Sequence, residues 1–132
     1  MTLTVIFSIL FIHFFADFIC QDEKWALGKS KNWSDLLSHT FTYSSVWLGV
    51  GSLYWFMNNE TNAFQLPIFY FTIITFICHT VQDYFTSKVT SKLYAEKKFG
   101  SSIPNLGFFS VIGFDQFLHY VQLFLTYYFL TV

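Results

Sequence analysis

Every histidine in this sequence has an aspartate four residues away. The pairs are His13/Asp17, His39/Asp35, His79/Asp83 and His119/Asp115. Residues four apart lie on one face of an α-helix, so each pair can direct an imidazole and a carboxylate to one place. The surrounding stretches are strongly apolar, as in "FIHFFADFICQ" at residues 11–21. Because an ionisable group is costly in such surroundings, we expect the pairs to meet in a functional site.

Imidazole and carboxylate are the donor groups that divalent transition metals prefer. They suit Zn²⁺ best, with Fe²⁺ or Mn²⁺ as alternatives. The candidate metal ligands are His13, Asp17, His39, His79, Asp83, Asp115 and His119. This set exceeds the need of one ion, so either two ions bind or some groups orient the ligands of a single ion. Asp35 is left out, because the helix dipole alone favours a carboxylate in the first turn of a helix.

Other polar residues flank these pairs. We assign catalytic roles to Asp83 and Asp115, since a carboxylate that the metal does not use can accept a proton as a general base. The candidate substrate-binding residues are Gln21, Gln82, Lys88 and Gln116. Lys88 could neutralise an anionic substrate, or its amine could simply extend to a membrane interface. The two cysteines do not form a disulfide framework or a zinc ribbon.

The composition is that of a membrane protein. Apolar residues make up 54% of the 132 residues and charged residues 11%, whereas soluble domains carry about 25% charged residues. Four apolar stretches approach or exceed the ~20 residues that cross a bilayer. They predict one all-α domain over residues 1–132, a bundle of four transmembrane helices over about residues 3–21, 36–57, 66–98 and 106–131.

The lysines predict the orientation of this bundle. All seven lie in or beside the first and third connections between the apolar stretches. The positive-inside rule places these connections in the cytoplasm and both termini outside, in the inner membrane of a bacterium. The polar pairs then converge in the cytoplasmic half of the bundle. The net charge of −1 gives no reason to expect a nucleic-acid partner.

The order of the polar motifs resembles a known family. "HFFADFICQ" is followed by a lysine and "LLSHTFTY", then by "HTVQDYFTSK" and "DQFLHY". In this order the chain resembles the small bacterial and phage membrane proteins grouped as domain of unknown function 3307. The resemblance covers nearly the whole chain. It implies the helical architecture and the polar set, and it implies no particular activity.

Three functions fit these expectations. The first is an intramembrane metal-dependent hydrolase that acts on an amphipathic or lipid-linked substrate from the cytoplasmic side. The second is a transporter or channel for a divalent metal ion or a proton. The third is a non-catalytic membrane accessory protein whose polar network fixes helix packing. A homo-oligomer is also compatible with the sequence, because "GVG" at residues 49–51 would allow close approach of helices.

Overall fold

The regular structure of the chain is helical. A computed structural model describes residues 1–58, 66–96 and 106–131. Within these ranges the elements are α1 (Leu3–Phe14), a π-helical turn (Phe15–Ile19), α2 (Glu23–Gly28), α3 (Trp33–Asn58), α4 (Leu66–Ala95) and α5 (Leu106–Thr131). The predicted all-helical fold class is confirmed for these residues.

The helix bounds differ from the predicted ones in three places. α3 begins at Trp33 rather than near residue 36, because the Asn32 side chain accepts the backbone N–H of Asp35 at 2.8 Å. The short helix α2 was not predicted, and the side chain of Asp22 caps its first turn. The predicted end of the third long helix near residue 98 lies outside the described residues, and α4 as described ends at Ala95.

The long helices pack side by side around a common interior. α4 packs between α3 and α5, while α5 also contacts α1, and the π-helical turn contacts α3. The four histidines lie on α1, α3, α4 and α5, one on each. The packing of the bundle therefore brings together side chains that are far apart in the sequence.

A tight corner between α2 and α3 holds Lys29 beside the bundle. Gly28 lies so close to Asp35 that a Cβ at residue 28 would collide with the carboxylate. The Asn32 side-chain amide donates to Asp35 Oδ2 at 2.6 Å, which fixes the carboxylate in this corner. Asp35 therefore stabilises the corner, and among the described ion pairs His39 is bonded to carboxylates of other helices instead.

Polar and apolar side chains are distributed in the reverse of the pattern in water-soluble proteins. Most of the buried side chains are polar or charged, while large apolar side chains are exposed on every long helix. Examples are Phe11, Phe41, Phe85 and Phe117, each with more than half of its surface exposed. Among the described helices, α5 alone is long and apolar enough to cross a membrane, and only 17% of its apolar window is buried. The apolar segment Leu3–Ile19 is shorter.

Candidate metal centre

The π-helical turn shapes the first part of the site. Its wider hydrogen bonding is seen at its end, where the backbone N–H of Cys20 donates to the carbonyl of Phe15 at 3.0 Å. Both His13, just before the turn, and Asp17, within it, are buried. Their closest atoms, His13 Nε2 and Asp17 Oδ2, are 3.9 Å apart. This turn ends α1, and single π-helical turns often occur at functional sites.

Two imidazoles and two carboxylates meet at the centre of the bundle. His39 Nε2 lies 3.1 Å from His79 Nε2. The Oδ1 atom of Asp17 is 3.2 Å from His39 Nε2 and 3.6 Å from His79 Nε2. On the other carboxylate, Asp83 Oδ2 is 3.1 Å from His39 Nε2 and 3.6 Å from His79 Nε2. Four potential ligand atoms from α3, α4 and the π-helical turn therefore lie close together, with each imidazole nitrogen within 3.6 Å of both carboxylate oxygens.

These separations match those of atoms that bind one metal ion. Ligands about 2.0–2.1 Å from a tetrahedral ion are about 3.3 Å from each other. The five separations that involve an imidazole nitrogen, out of six between these four atoms, range from 3.1 to 3.6 Å. Although Asp17 Oδ1 is close to both imidazoles, it has no hydrogen-bond partner. The atoms are thus spaced like metal ligands, and hydrogen bonds do not explain the position of every one of them.

His13 and His119 extend the cluster on its other side. His119 Nε2 is 3.7 Å from Asp83 Oδ1, and its Nδ1 is 3.7 Å from Asp115 Oδ2. His119 has no exposed surface, and neither of its ring nitrogens has a hydrogen-bond partner. A buried polar group without a partner typically lowers the stability by about 1–3 kcal/mol. A ligand bound to these nitrogens would remove this cost.

Neighbouring side chains orient the cluster. The Tyr43 hydroxyl lies 2.7 Å from His13 Nδ1, and the Tyr43 ring stacks on the ring of His79 at 3.9 Å. Gln116 places its Oε1 2.8 Å from His13 Nε2 and donates through Nε2 to Asp17 Oδ2 at 3.1 Å. Contacts of this kind fix the orientation of metal-binding side chains in known metal centres. Tyr43 was missed in the sequence, although it lies four residues after His39 on the same helix face.

Lys29 is the second residue that the sequence did not predict. Its Nζ donates to Asp83 Oδ2 at 2.8 Å. Burial alone would lower the pKa of Lys29, but the carboxylates of Asp83 and Asp17 outweigh burial and raise that pKa above its ordinary value. Lys29 is therefore positively charged. Nothing in the spacing of the sequence points to it, because it lies in a connection and not on a helix face.

Lys29 also lines a small cavity next to the cluster. The cavity measures about 50 Å³ and is bounded by Lys29, Ser30, Lys31, Asn32, Trp33, Leu36, Tyr84 and Lys88. The Trp33 and Tyr84 rings stack at 4.9 Å on its wall, and the Lys88 amine lies 3.5 Å from the centre of the Tyr84 ring. Lys29 thus links this lysine-lined cavity to the carboxylate of Asp83.

The structure brings all seven predicted metal ligands into one connected cluster. The two predicted catalytic residues differ in access, since the Asp83 side chain is 1% exposed and that of Asp115 is 13% exposed. Asp115 accepts a hydrogen bond from Thr86 Oγ1 at 2.6 Å. Among the predicted substrate-binding residues, Gln116 lies in the cluster and Lys88 lines the cavity.

The other two predicted substrate-binding residues have different environments. Gln82 donates to the carbonyl of Leu118 at 3.2 Å and so joins α4 to α5. The buried Oε1 atom of Gln21 has no hydrogen-bond partner. Both cysteines, Cys20 and Cys78, are free thiols.

Sequence comparison adds a family to this geometry. Residues 5–132 match the family described as "Protein of unknown function (DUF3307)". The chain belongs to this family. No curated protein and no solved structure matches it. The function is therefore inferred from the chemistry of the cluster.

Proposed function

We propose that this DUF3307 protein is a metal-dependent hydrolase of the membrane. The observation that carries the proposal is the convergence of His39, His79, Asp17 and Asp83 in the interior of the bundle. Each imidazole nitrogen lies 3.1–3.6 Å from the other and from one oxygen of each carboxylate, which is the spacing of ligands of one ion. When bound there, a divalent ion such as Zn²⁺ supplies Lewis acidity and activates water near neutral pH.

The surface of the bundle supports a position in the bilayer. Large apolar side chains cover the outside of α1, α3, α4 and α5, while the polar side chains lie inside. A water-soluble protein rarely exposes so much contiguous apolar surface. We therefore propose that all four helices cross the inner membrane of a bacterium, with the lysine-bearing connections in the cytoplasm.

The cavity beside the cluster supports an anionic substrate. Lys29, Lys31 and Lys88 line it, and Lys29 also contacts the cluster through Asp83. Lysine amines are common phosphate binders. In the proposed orientation, the stacked rings of Trp33 and Tyr84 would lie at the cytoplasmic interface, where an apolar chain would leave the bilayer. The substrate class that these features favour is a phosphate ester with a lipid chain, which enters from the cytoplasmic leaflet.

Asp115 is best placed to move the proton of the reaction. It is the most exposed carboxylate of the cluster, and Thr86 holds one of its oxygens. In the proposed reaction a water oxygen forms a bond to phosphorus, and the water proton passes to Asp115. The bond from phosphorus to the ester oxygen breaks with its electron pair on that oxygen, which then takes the proton from Asp115. The net reaction adds one water across the ester bond.

One observation favours transport as a second candidate. The polar interior continues beyond the cluster, where Gln122 donates to Thr75 at 3.3 Å and to Thr126 at 2.9 Å. Thr126 lies about 10 Å along α5 from His119, at about 1.5 Å per residue. A metal ion that leaves the cluster toward the outer face would pass these oxygens. Gln122, Thr75 and Thr126 are neutral side chains and carry no charge that would bind a passing cation. We therefore rank transport below hydrolysis.

The deciding experiment compares hydrolysis with flux in one preparation. The untagged protein is purified in mild detergent and assayed with phosphatidate in mixed micelles, and it is reconstituted in liposomes for Zn²⁺ flux. We expect metal-dependent phosphate release that Asp115→Asn abolishes and that Glu96→Gln, an exposed carboxylate at the end of α4, leaves intact. Flux without phosphate release would favour the transporter. The absence of both bound metal and activity would contradict the metal-dependent function.

A further inference from the structure

We infer that the cluster holds two divalent ions, bridged by the carboxylates of Asp17 and Asp83. The inference rests on the proposed metal-dependent function and deepens it. It assigns His39 and His79 to one ion, and His13 and His119 to the other. The alternative is a single ion at His39 and His79, with the remaining side chains as supports.

The two oxygens of Asp17 face different histidines. Oδ1 lies 3.2 Å from His39 Nε2 and 3.6 Å from His79 Nε2. Oδ2 lies on the other side, 3.9 Å from His13 Nε2. One carboxylate thus points one oxygen at each pair of imidazoles.

Asp83 repeats this arrangement on α4. Its Oδ2 is 3.1 Å from His39 Nε2 and 3.6 Å from His79 Nε2, while its Oδ1 is 3.7 Å from His119 Nε2. The two carboxylates therefore stand between two pairs of imidazoles and present one oxygen to each pair. A carboxylate that binds one ion through each oxygen fits this arrangement, and ions in two-metal sites are about 3.5–4 Å apart.

Unsatisfied atoms on the second side support an ion there. Asp83 Oδ1 and both ring nitrogens of His119 are buried without a hydrogen-bond partner. In addition, His13, Asp17 and His119 each offer one ligand atom within 4.8 Å of the others. A single ion at His39 and His79 would leave Asp83 Oδ1 and both ring nitrogens of His119 without a partner.

His13 must exchange one contact to bind the second ion. Its Nδ1 lies 2.7 Å from the Tyr43 hydroxyl, and a proton on Nδ1 that is donated to Tyr43 leaves Nε2 free as a ligand. Nε2 now lies 2.8 Å from Gln116 Oε1. The second ion takes the place of this contact, and Gln116 keeps its hydrogen bond to Asp17.

The two-ion centre also fits the charge of the proposed substrate. The carboxylates of Asp17, Asp83 and Asp115 carry three negative charges, and Lys29, which is bonded to Asp83, carries one positive charge. One divalent ion would neutralise this set, whereas two leave it positive. A centre with excess positive charge attracts a phosphate dianion, which places the anionic group between the two ions and the lysine-lined cavity.

Metal stoichiometry and spectroscopy test the inference directly. The untagged protein is stripped with a chelator in detergent, reloaded with Mn²⁺, and analysed by mass spectrometry and electron paramagnetic resonance. We expect about two ions per chain and a spin-coupled signal from ions a few ångströms apart. His119→Ala is expected to keep about one ion with an uncoupled signal, and Asp83→Ala to lose both. Glu96→Gln is the matched control and keeps both ions and the coupling.

Each result decides a different point. A wild-type chain that saturates at one ion, or a His119→Ala variant that keeps two coupled ions, overturns the two-ion centre and leaves the proposed metal-dependent function standing. A wild-type chain that binds no ion overturns both. If His119→Ala does not fold, His119→Gln replaces it, and the coupling in the wild-type chain decides the question without any variant.

Discussion

Two layers of the bundle interior are polar, yet they differ in how their polar atoms are paired. In the layer of the cluster, charged groups crowd together, and His119 has no hydrogen-bond partner at either nitrogen. In the layer beyond it, Gln122 donates to the hydroxyls of both Thr75 and Thr126, and Leu123 fills the space beside them. The second layer contains neutral groups, and its amide nitrogen is bonded twice, although Gln122 Oε1 has no partner.

This difference separates a ligand site from a packing network. Neutral polar side chains that bond to each other across helices stabilise a membrane bundle by modest amounts, about 0.6 kcal/mol per contact. Ionisable side chains with unused donor atoms destabilise it unless something else binds them. The layer of the cluster is therefore where the function is expected, although both layers read as polar stripes in the sequence.

The largest effect is expected from Asp83→Ala. This change removes the carboxylate that contacts Lys29 and three of the histidines. We expect the loss of bound metal and of hydrolysis, together with a lower stability, since breaking one buried ion pair costs about 3–5 kcal/mol. Metal analysis, phosphate release and thermal unfolding in detergent measure the three effects. Retention of metal and turnover would show that the cluster layer is only a second packing network.

Asp115→Asn should affect chemistry and spare metal binding. The amide keeps the shape of the side chain and can still accept a hydrogen bond from Thr86, but it cannot take a proton. General-base catalysis contributes about 10²–10⁴-fold, so kcat should fall by about that factor. The measurement is phosphate release at saturating substrate, with metal content as the control. An unchanged kcat would remove Asp115 from the catalytic role.

Lys29→Met should have a smaller effect, on anionic substrates above all. The change removes the hydrogen bond to Asp83 and one positive charge from the cavity. Changes next to a metal ligand lower metal affinity or activity by about 10–100-fold. We expect a lower kcat/KM for phosphatidate, measured against a neutral ester. Lys92→Met is the matched control, because Lys92 is exposed near the end of α4. Equal losses for the two lysines would contradict a special role for Lys29.

Gln122→Leu should have the smallest effect and tests the other layer. It removes the contacts to Thr75 and Thr126, which we expect to lower stability by about 1 kcal/mol and to leave metal content and phosphate release unchanged. Thermal unfolding and the hydrolysis assay check this. A loss of Zn²⁺ flux in liposomes with hydrolysis intact would instead support the transport path.

The sequence predicted the long helices and the histidines and aspartates of the cluster, because both depend on short-range spacing. The periodic placement of His79 and Asp83 in an apolar segment already indicates a buried polar face. Tyr43 could have been found by the same rule, since it follows His39 by four residues. Which carboxylate meets which histidine could not be predicted: His39 bonds to Asp17 and Asp83 and not to Asp35.

Two features of the site have no signature in the sequence. Lys29 reaches Asp83 because the corner between α2 and α3 turns it toward the bundle, and this corner depends on the contact between Gly28 and Asp35. The π-helical turn at Phe15–Ile19 reads as ordinary apolar helix. Both depend on tertiary contacts, which spacing along the chain does not record.

The π-helical turn has a consequence for how this protein can change in evolution. One residue of an α-helix spans about 100° of rotation and about 1.5 Å of length. Deletion of a single residue between His13 and Asp17 would therefore turn His13 away from Tyr43 while Asp17 stayed beside His39. Many substitutions at the exposed phenylalanines of this segment should be tolerated, whereas a change of its length by one residue should not. Homologues are expected to vary in the amino-acid types of this segment and to keep its number of residues.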